Sequence, residues 1–135
     1  MSRQSTLYFL FSSLNNAYSI KRRVFTVFYS RIVFLFLKEL ERQGLIDNFY
    51  LNPYKANELV IYPKYISGRP AFRKIVSVSK ISRRVYIRAS TFRYKMDKDG
   101  LYFLSTNKGF IVSNISIFNN VLSKTGGELL AKIIF

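Results

Sequence analysis

The chain has 135 residues, with 22 Lys and Arg against 7 Asp and Glu, so its formal net charge is 22 − 7 = +15. Hydrophobic residues make up 49% and aromatic residues 17%, more than a disordered basic tail carries, so we expect a folded basic protein whose partner is a polyanion. Cysteine and histidine are both absent, which excludes disulfides, thiol nucleophiles, thiolate or imidazole metal sites and histidine-based catalysis.

Two adjacent features predict helix and then strand near the start of the chain. Apolar residues recur at a spacing of three and four, which is the pattern of one buried helical face, at Leu7, Leu10, Phe11 and Leu14. This spacing predicts a first helix over residues 5–17. The next stretch, 22–29, is rich in β-branched and aromatic residues and predicts a strand.

The middle of the first half predicts a second helix followed by two strands. Ser30 is expected to cap a helix over 31–43 through its hydroxyl, and Gly44 supplies the backbone freedom that a helix end favours. Residues 47–51 and 58–62 then predict two strands joined by a turn-rich loop. The first half therefore has the predicted order α-β-α-β-β.

A cluster of turn residues, Ser67-Gly68-Arg69-Pro70, marks the predicted boundary between two domains, 1–66 and 67–135. Beyond it the pattern predicts mostly strands with one short helix. The predicted strands are 72–78, 84–88, 101–104, 110–112 and 129–134, and the predicted helix is 114–123. The expected fold class is α+β, with two small domains.

The acids of the chain do not indicate an enzyme. Asp97 and Asp99 lie beside Gly100 in a predicted turn, where carboxylates this close in sequence are more typical of turn chemistry than of an acid–base pair. The sequence also has no Gly-rich phosphate loop. The apolar runs 7–11 and 32–37 are shorter than the about 20 residues that a membrane-spanning helix needs. We therefore expect no catalysis, no cofactor, no metal and no membrane insertion.

The charge is concentrated between Glu58 and Asp97, where no acid occurs. Ten bases lie in this segment: Lys64, Arg69, Arg73, Lys74, Lys80, Arg83, Arg84, Arg88, Arg93 and Lys95. They are interleaved with aromatic residues such as Tyr86 and Phe92, which combine phosphate partners with stacking surfaces. A membrane-surface binder would carry its bases on one face of a helix, so the pattern favours a nucleic acid.

Several motifs in order resemble one family, the bacterial-type ribosomal protein S-eight of the small subunit. Ser105-Thr106-Asn107-Lys108-Gly109 and then Gly126-Gly127-Glu128 resemble its Ser-Thr-Ser-Lys-Gly loop and its terminal Gly-Gly-Glu strand. Upstream, Val78-Ser79-Lys80 and Arg83-Arg84-Val85-Tyr86 resemble its Val-Ser-Lys and Arg-Arg-Val-Tyr. The resemblance covers about residues 7–135, with Ile81-Ser82 replacing the Pro-Gly of the family.

The resemblance implies a two-domain protein that binds the central domain of small-subunit rRNA early in assembly, beside neighbouring small-subunit ribosomal proteins, without forming a homo-oligomer. By position, the main recognition loop would be Ser105, Thr106, Asn107, Lys108 and Gly109, with Tyr86 beside it. Hydroxyl and amide groups can read 2′-hydroxyls or an unstacked base. The alternative is a plain hairpin turn, because Asn-Lys-Gly forms tight turns by itself.

Further residues are candidates for RNA contact. They combine the bases of the acid-free segment, the Gly-Gly-Glu motif and two bases of the first half: Lys80, Arg83, Arg84, Arg88, Gly126, Gly127, Glu128, Lys55 and Arg31. For Gly126 to Glu128, a role at a helix exit and an RNA-facing role are compatible. Lys55 and Arg31 are either phosphate contacts or solvated.

The composition also bears on the compartment. Phe 13 and Tyr 10 against Gly 6 and Pro 3 are typical of an AT-rich genome, which predicts a mitochondrial ribosome, with a plastid or an AT-rich bacterium as the alternative. The first 38 residues lack acids and resemble a mitochondrial transit peptide, but the family resemblance favours mature structure there. A different functional class stays open at this point, namely a basic peripheral membrane or organellar nucleoid-binding protein.

Overall fold

A computed structural model of the chain describes residues 3–79, 85–87, 101–106, 109–113 and 127–135. In this part it has two helices and ten strands, and the predicted α+β class is confirmed. The chain divides into two compact units, the first running to Ile75 and the second from Val76 to Ile134. The predicted domain boundary between residues 66 and 67 stays a prediction.

The first unit contains both helices and a three-stranded antiparallel sheet. Its elements, in chain order, are α1 (Arg3–Ser19), β1 (Phe25–Phe28), α2 (Arg31–Arg42), β2 (Ile46–Leu51), β3 (Glu58–Pro63), β4 (Tyr65–Ile66) and β5 (Arg69–Pro70). The sheet order is β1-β3-β2, and the predicted order α-β-α-β-β is confirmed. β4 and β5 form a small hairpin where we predicted only a break, and Ser67 and Gly68 between them both have positive φ, as a tight hairpin turn requires.

α2 begins and ends close to the predicted positions, but the predicted contact at its start is different. Ser30 has the extended backbone of a cap residue (φ −148°, ψ 145°), and its carbonyl accepts a hydrogen bond from the Phe34 N–H. Within this described turn, the Ser30 hydroxyl receives no hydrogen bond from the helix, so the predicted side-chain cap is wrong. The extended backbone and the carbonyl contact begin the helix without it. Gly44, with φ +76°, follows the helix as predicted.

The core of the first unit lies between the two helices and the sheet. α2 buries Val33, Phe36, Leu37 and Leu40, and it contacts both α1 and β2. The Phe11 ring of α1 packs on the Phe36 ring, with centroids 5.1 Å apart. This arrangement explains the wide apolar face of α2, because each side of that face has an element to pack against.

Tyr18 joins three segments of the first unit through its hydroxyl. It is 2% exposed, and it donates a hydrogen bond to the Leu45 carbonyl while it accepts one from the Lys64 N–H at 3.1 Å. Its ring lies against Phe72, with centroids 4.6 Å apart. Burial is the main cause that raises the pKa of Tyr18 to about 12, because the phenolate would lose its hydration in this environment.

The second unit is built on one sheet. Its strands are β6 (Lys74–Ser77), which begins two residues before the boundary after Ile75, β7 (Tyr86–Ile87), β8 (Leu101–Thr106), β9 (Gly109–Ser113) and β10 (Gly127–Ile134). The order is β6-β10-β8-β9, and β7 also pairs with β10. β10 begins at Gly127, two residues earlier than predicted, so Gly127 and Glu128 are strand residues and not part of a helix exit. The predicted helix 114–123 lies outside the described residues.

Among the described residues from Val76 onward, the buried hydrophobic side chains belong to the two longest strands of the second unit. Phe103 and Leu104 of β8, with Leu129 and Ile133 of β10, are at most 2% exposed. Among the described residues, neither helix is both long and apolar enough to cross a membrane.

Candidate nucleic-acid interface

The hairpin of β8 and β9 carries most of the predicted recognition loop. The two strands pair from Tyr102 opposite Ser113 to Thr106 opposite Gly109. Ser105, Thr106 and Gly109 are therefore strand residues, and the prediction of a five-residue loop is wrong. The hydrogen-bond ladder between the strands extends to Thr106 and Gly109, because pairing satisfies the backbone N–H and C=O groups. Only Asn107 and Lys108 stand between the strands, and both lie outside the described residues.

Three of the predicted RNA-binding residues lie side by side across three strands. Ser105 of β8 is directly opposite Glu128 of β10, and Glu128 is in turn opposite Tyr86 of β7. Residues that are directly opposite in neighbouring strands project from the same face of a sheet. Because strands lie about 4.8 Å apart, this row, here called the Ser105–Glu128–Tyr86 row, is about 10 Å long.

The row is accessible, whereas the next row along the same strands is buried. Tyr86 is 67% exposed, and Ser105 and Glu128 are half-buried. The neighbouring pair, Leu104 opposite Leu129, is closed from solvent and projects from the other face. At this end the sheet therefore has one apolar face that packs inward and one face that presents a hydroxyl, a carboxylate and a phenol ring.

Ser79 fixes the backbone beside this row. Its side chain is buried, its Oγ accepts a hydrogen bond from the Val85 N–H at 2.9 Å, and it donates one to the Leu129 carbonyl at 2.6 Å. The Leu129 N–H donates to the Val85 carbonyl at 2.8 Å. Val85 precedes Tyr86 and Leu129 follows Glu128, so these bonds hold two members of the row in register. The sequence analysis placed Ser79 in a family motif without a role, since a single serine beside a strand gives no signal of burial.

The other predicted RNA-binding residues are not all brought to this row. Gly127 lies next to Glu128 in β10, opposite Ile87. Arg31, at the start of α2, and Lys55, in the loop after β2, are exposed residues of the first unit. The remaining candidates lie outside the described residues: Lys80, Arg83, Arg84, Arg88, Asn107, Lys108 and Gly126.

The chemistry of the row suits sugars and bases better than phosphates. A serine hydroxyl donates and accepts, and a carboxylate accepts from a 2′-hydroxyl or from a base amino group. An exposed tyrosine ring offers a face on which an unstacked base can stack. A carboxylate repels phosphate, so attraction to a nucleic acid has to come from the basic residues of the chain.

Comparison with known proteins identifies the family of the chain. The family described as ribosomal protein S8 matches residues 7–134. The chain is 28% identical over 134 residues to small ribosomal subunit protein uS8 of Vesicomyosocius okutanii, an alignment that covers 98% of this chain and 99% of that protein. It is 31% identical over 135 residues to the uS8 of Mesorhizobium japonicum, with coverage of 98% and 99%, and 32% identical over 124 residues to that of Ehrlichia ruminantium, with coverage of 90% and 91%. The chain therefore belongs to the ribosomal protein S8 family and is a structural protein of the small ribosomal subunit.

Proposed function

We propose that this chain binds the central domain of small-subunit rRNA through its second unit, and that it supports assembly of the subunit in a mitochondrial ribosome. The observation that carries the proposal is the Ser105–Glu128–Tyr86 row. It gathers residues that are far apart in the sequence onto one accessible face, beside a buried serine that holds them in place.

The proposed binding divides attraction from selection. The net charge of +15, with ten bases in the segment between Glu58 and Asp97, attracts any RNA through its phosphates and releases counterions. Phosphate contacts do not read sequence or shape, so the choice of site needs groups that meet sugars and base edges. Ser105, Glu128 and Tyr86 are groups of that kind, and Asn107 and Lys108, which follow in the sequence, extend the set.

The exposed ring of Tyr86 favours a single-stranded or bulged nucleotide as part of the target. A-form RNA presents 2′-hydroxyls in a wide, shallow minor groove but keeps its bases stacked. A stacked base has both faces covered, so the Tyr86 ring, which is 67% exposed, can stack only on a base that has left the helix. We therefore expect a helical stem with an irregular element, with the hydroxyls reading the groove and Tyr86 stacking on the displaced base.

The mitochondrial setting rests on composition. Phe 13 and Tyr 10 outnumber Gly 6 and Pro 3, as in proteins translated from AT-rich genes. The compared relatives are bacterial, so a plastid or an AT-rich bacterium is the competing setting. The proposal is of a protein that is both encoded and used inside the mitochondrion, so the compartment of the gene decides between them, and a gene on a nuclear or bacterial chromosome contradicts it.

The binding proposal is tested by the double substitution Ser105→Ala with Asn107→Ala. We expect affinity for a cognate central-domain stem to fall by about 1 to 3 kcal/mol, roughly 5- to 150-fold, because donors and acceptors on the RNA lose their partners. Binding to random RNA of equal length should change little, because phosphate contacts are retained. The measurement is a filter-binding or fluorescence titration at fixed salt.

The matched control is Ser12→Ala with Asn16→Ala, the same two residue types at exposed positions of α1. It should leave both affinities unchanged. If the unmodified chain binds cognate and random RNA equally, the proposal of specific binding is wrong. Pelleting with liposomes or with DNA, but not with small ribosomal subunits, would instead support a membrane or nucleoid role.

A further inference from the structure

The first unit presents the open edge of a β-sheet. In the order β1-β3-β2, β1 pairs with β3 on one side and has no second strand neighbour among the described residues. The Tyr29 N–H donates to the Asn57 carbonyl at 2.7 Å, and these two residues continue the register in which Phe28 is opposite Glu58. In an antiparallel pair, hydrogen-bonded and non-hydrogen-bonded positions alternate. The backbone groups of Val27 therefore face β3, and those of Thr26 and Phe28 face the open edge.

Between β3 and β2, hydrogen-bonded and non-hydrogen-bonded positions alternate in the opposite phase from those between β3 and β1. The Asn52 N–H donates to the Glu58 carbonyl at 2.8 Å, in the register in which Leu51 is opposite Leu59. Glu58 and Val60 therefore direct their backbone groups to β2, and Leu59 directs its own to β1. The alternation across β3 is consistent, which supports the assignment of Thr26 and Phe28 to the edge.

A groove of about 500 Å³ is lined by residues of α1, of β1 and of the turn that leads into β3. Phe9 of α1 and Phe28 of β1 line it, and both rings are well exposed, at 50% and 73%. Thr26, Val27 and Ala56 add to the lining. Two exposed phenylalanines beside unpaired strand backbone are costly to leave in water, so the site is suited to an occupant that covers rings and backbone together.

The charge of the groove distinguishes it from the rest of the chain. Its lining includes Lys55 and Glu58, one charge of each sign, although the chain has 22 bases against 7 acids. A neutral, apolar groove offers phosphates no net attraction. Backbone N–H and C=O groups at a strand edge recognise an extended polypeptide, and the pocket beside them takes alternate side chains. The combination favours protein over RNA.

We propose that β1 accepts an extended, apolar segment of a neighbouring small-subunit protein as an added strand. The segment pairs with the backbone of Thr26 and Phe28 and inserts an apolar side chain between Phe9 and Phe28. A basic and an acidic residue on the segment meet Glu58 and Lys55. This inference rests on the proposed function, because it requires the chain to sit in a small subunit, and it adds the chemistry of one partner.

The test removes the edge donor with Thr26→Pro in the full chain, assembled into small subunits with cognate rRNA and proteins. Proline lacks the N–H that an added strand needs, and it is tolerated at edge positions whose N–H faces away from the sheet. Quantitative mass spectrometry of the particles should show one neighbouring protein reduced about tenfold, the change expected for about 1.4 kcal/mol from lost backbone hydrogen bonds. Thr26→Val, which keeps the N–H, should leave its occupancy unchanged.

A second variant covers the case in which the proline disturbs folding. Phe28→Ser removes a ring that is 73% exposed, so it should leave the melting temperature unchanged while the same neighbouring protein is lost. A photoreactive phenylalanine at position 28 should crosslink to that protein, within a segment of alternating apolar residues. Unchanged occupancy in both variants, or a crosslink to rRNA or to a second copy of the chain, overturns the inference.

The two proposals fail separately. Binding of the isolated chain to the rRNA stem should be the same for Thr26→Pro, Phe28→Ser and the unmodified chain. If the unmodified chain does not bind the stem selectively, the proposed function is wrong. If it does and the variants keep the full set of neighbours, only the added strand is wrong.

Discussion

The two units of this protein use buried polar side chains in different places. In the first unit, Tyr18 bonds to backbone deep between a helix and the segments that follow α2 and β3. In the second unit, Ser79 is buried directly beside the Ser105–Glu128–Tyr86 row. Damage to the buried contacts of Tyr18 should therefore lower stability and leave RNA affinity unchanged, whereas damage at Ser79 should lower stability and RNA affinity together.

The largest effect on stability is expected in the first core. Phe36 is 0% exposed and packs on Phe11, so Phe36→Ala should lower the free energy of unfolding by about 3 to 5 kcal/mol through lost burial and the cavity left behind. Leu35→Ala, at the next position and 40% exposed, should cost less than about 1 kcal/mol. Urea unfolding measures both, and cognate RNA affinity of the folded protein should be unchanged.

The RNA affinity of Phe36→Ala tests whether the two units divide stability from recognition. If Phe36→Ala, tested where it is still folded, weakens cognate RNA binding as much as Ser105→Ala with Asn107→Ala does, the two units do not divide stability from recognition in the way proposed.

The next effect concerns the buried phenol of the first unit. Tyr18→Phe keeps the ring but leaves the Leu45 carbonyl and the Lys64 N–H without the hydroxyl, which should cost about 2 to 3 kcal/mol. The cost should also depend on pH. The pKa of Tyr18 is about 12 in the folded chain against 10.0 for an ordinary tyrosine.

The unfolded chain releases the Tyr18 proton at a lower pH than the folded chain does. Below pH 10 both states hold the proton, and the full stability is present. Between about pH 10 and 12 only the unfolded state ionises, so the free energy of unfolding should fall by up to about 1.4 kcal/mol per pH unit. Tyr18→Phe should lack this loss. Unfolding of both chains at pH 9 and pH 11 measures it, and an equal decrease in both chains contradicts the prediction.

The clearest test of the second unit is Ser79→Ala. It removes the acceptor of the Val85 N–H and a donor to the Leu129 carbonyl, which should cost about 1 to 3 kcal/mol of stability. Because these bonds hold the backbone beside Tyr86 and Glu128, cognate RNA affinity of the folded variant should also fall, while affinity for random RNA stays constant.

Ser77→Ala is the control for this prediction. Ser77 is half-buried and donates one hydrogen bond, to the Ser79 carbonyl at 3.0 Å, so its loss should cost less stability and leave the row in register. Equal loss of RNA affinity in both serine variants would contradict the positioning role of Ser79.

Local patterns predicted much of the fold. The apolar spacing of Leu7, Leu10 and Leu14 correctly predicted α1, and the turn residues correctly predicted a division into short strands. Both signals are local, because helix periodicity and turn chemistry act over a few residues. Strand ends were less accurate. β1 begins at Phe25, although the strand-like composition already begins at Val24, because pairing with β3 and not composition decides where a strand starts.

The site depended on contacts that no local pattern contains. Family resemblance indicated Ser105, Tyr86 and Glu128 separately, but their alignment in one row needs pairing between β8, β10 and β7, which are distant in the sequence. The positioning role of Ser79 could not be predicted from the sequence, because burial of a single hydroxyl depends on the strands around it. The open edge of β1 likewise follows from sheet order and register, which are properties of the folded chain.

The smallest expected effect lies on the surface of α2. Arg42 donates to Glu39 at 2.9 Å, and the Arg42 side chain is 67% exposed, so water and salt screen the pair. Glu39→Gln should cost about 0.2 to 0.5 kcal/mol of stability at low salt, and less at high salt. Glu41→Gln removes the same charge from the same helix and, among the described residues, breaks no ion pair.

The two glutamine variants test whether the surface of α2 contributes to recognition of RNA. Each raises the net charge by one, so both should strengthen non-specific RNA binding slightly and equally, because that binding responds to total charge. If α2 takes no part in recognition, affinity for the cognate stem relative to random RNA is the same in both variants and in the unmodified chain. A selectivity that changes for Glu39→Gln alone would place the surface of α2 against RNA, and the first unit would then contribute to the choice of site as well as to stability.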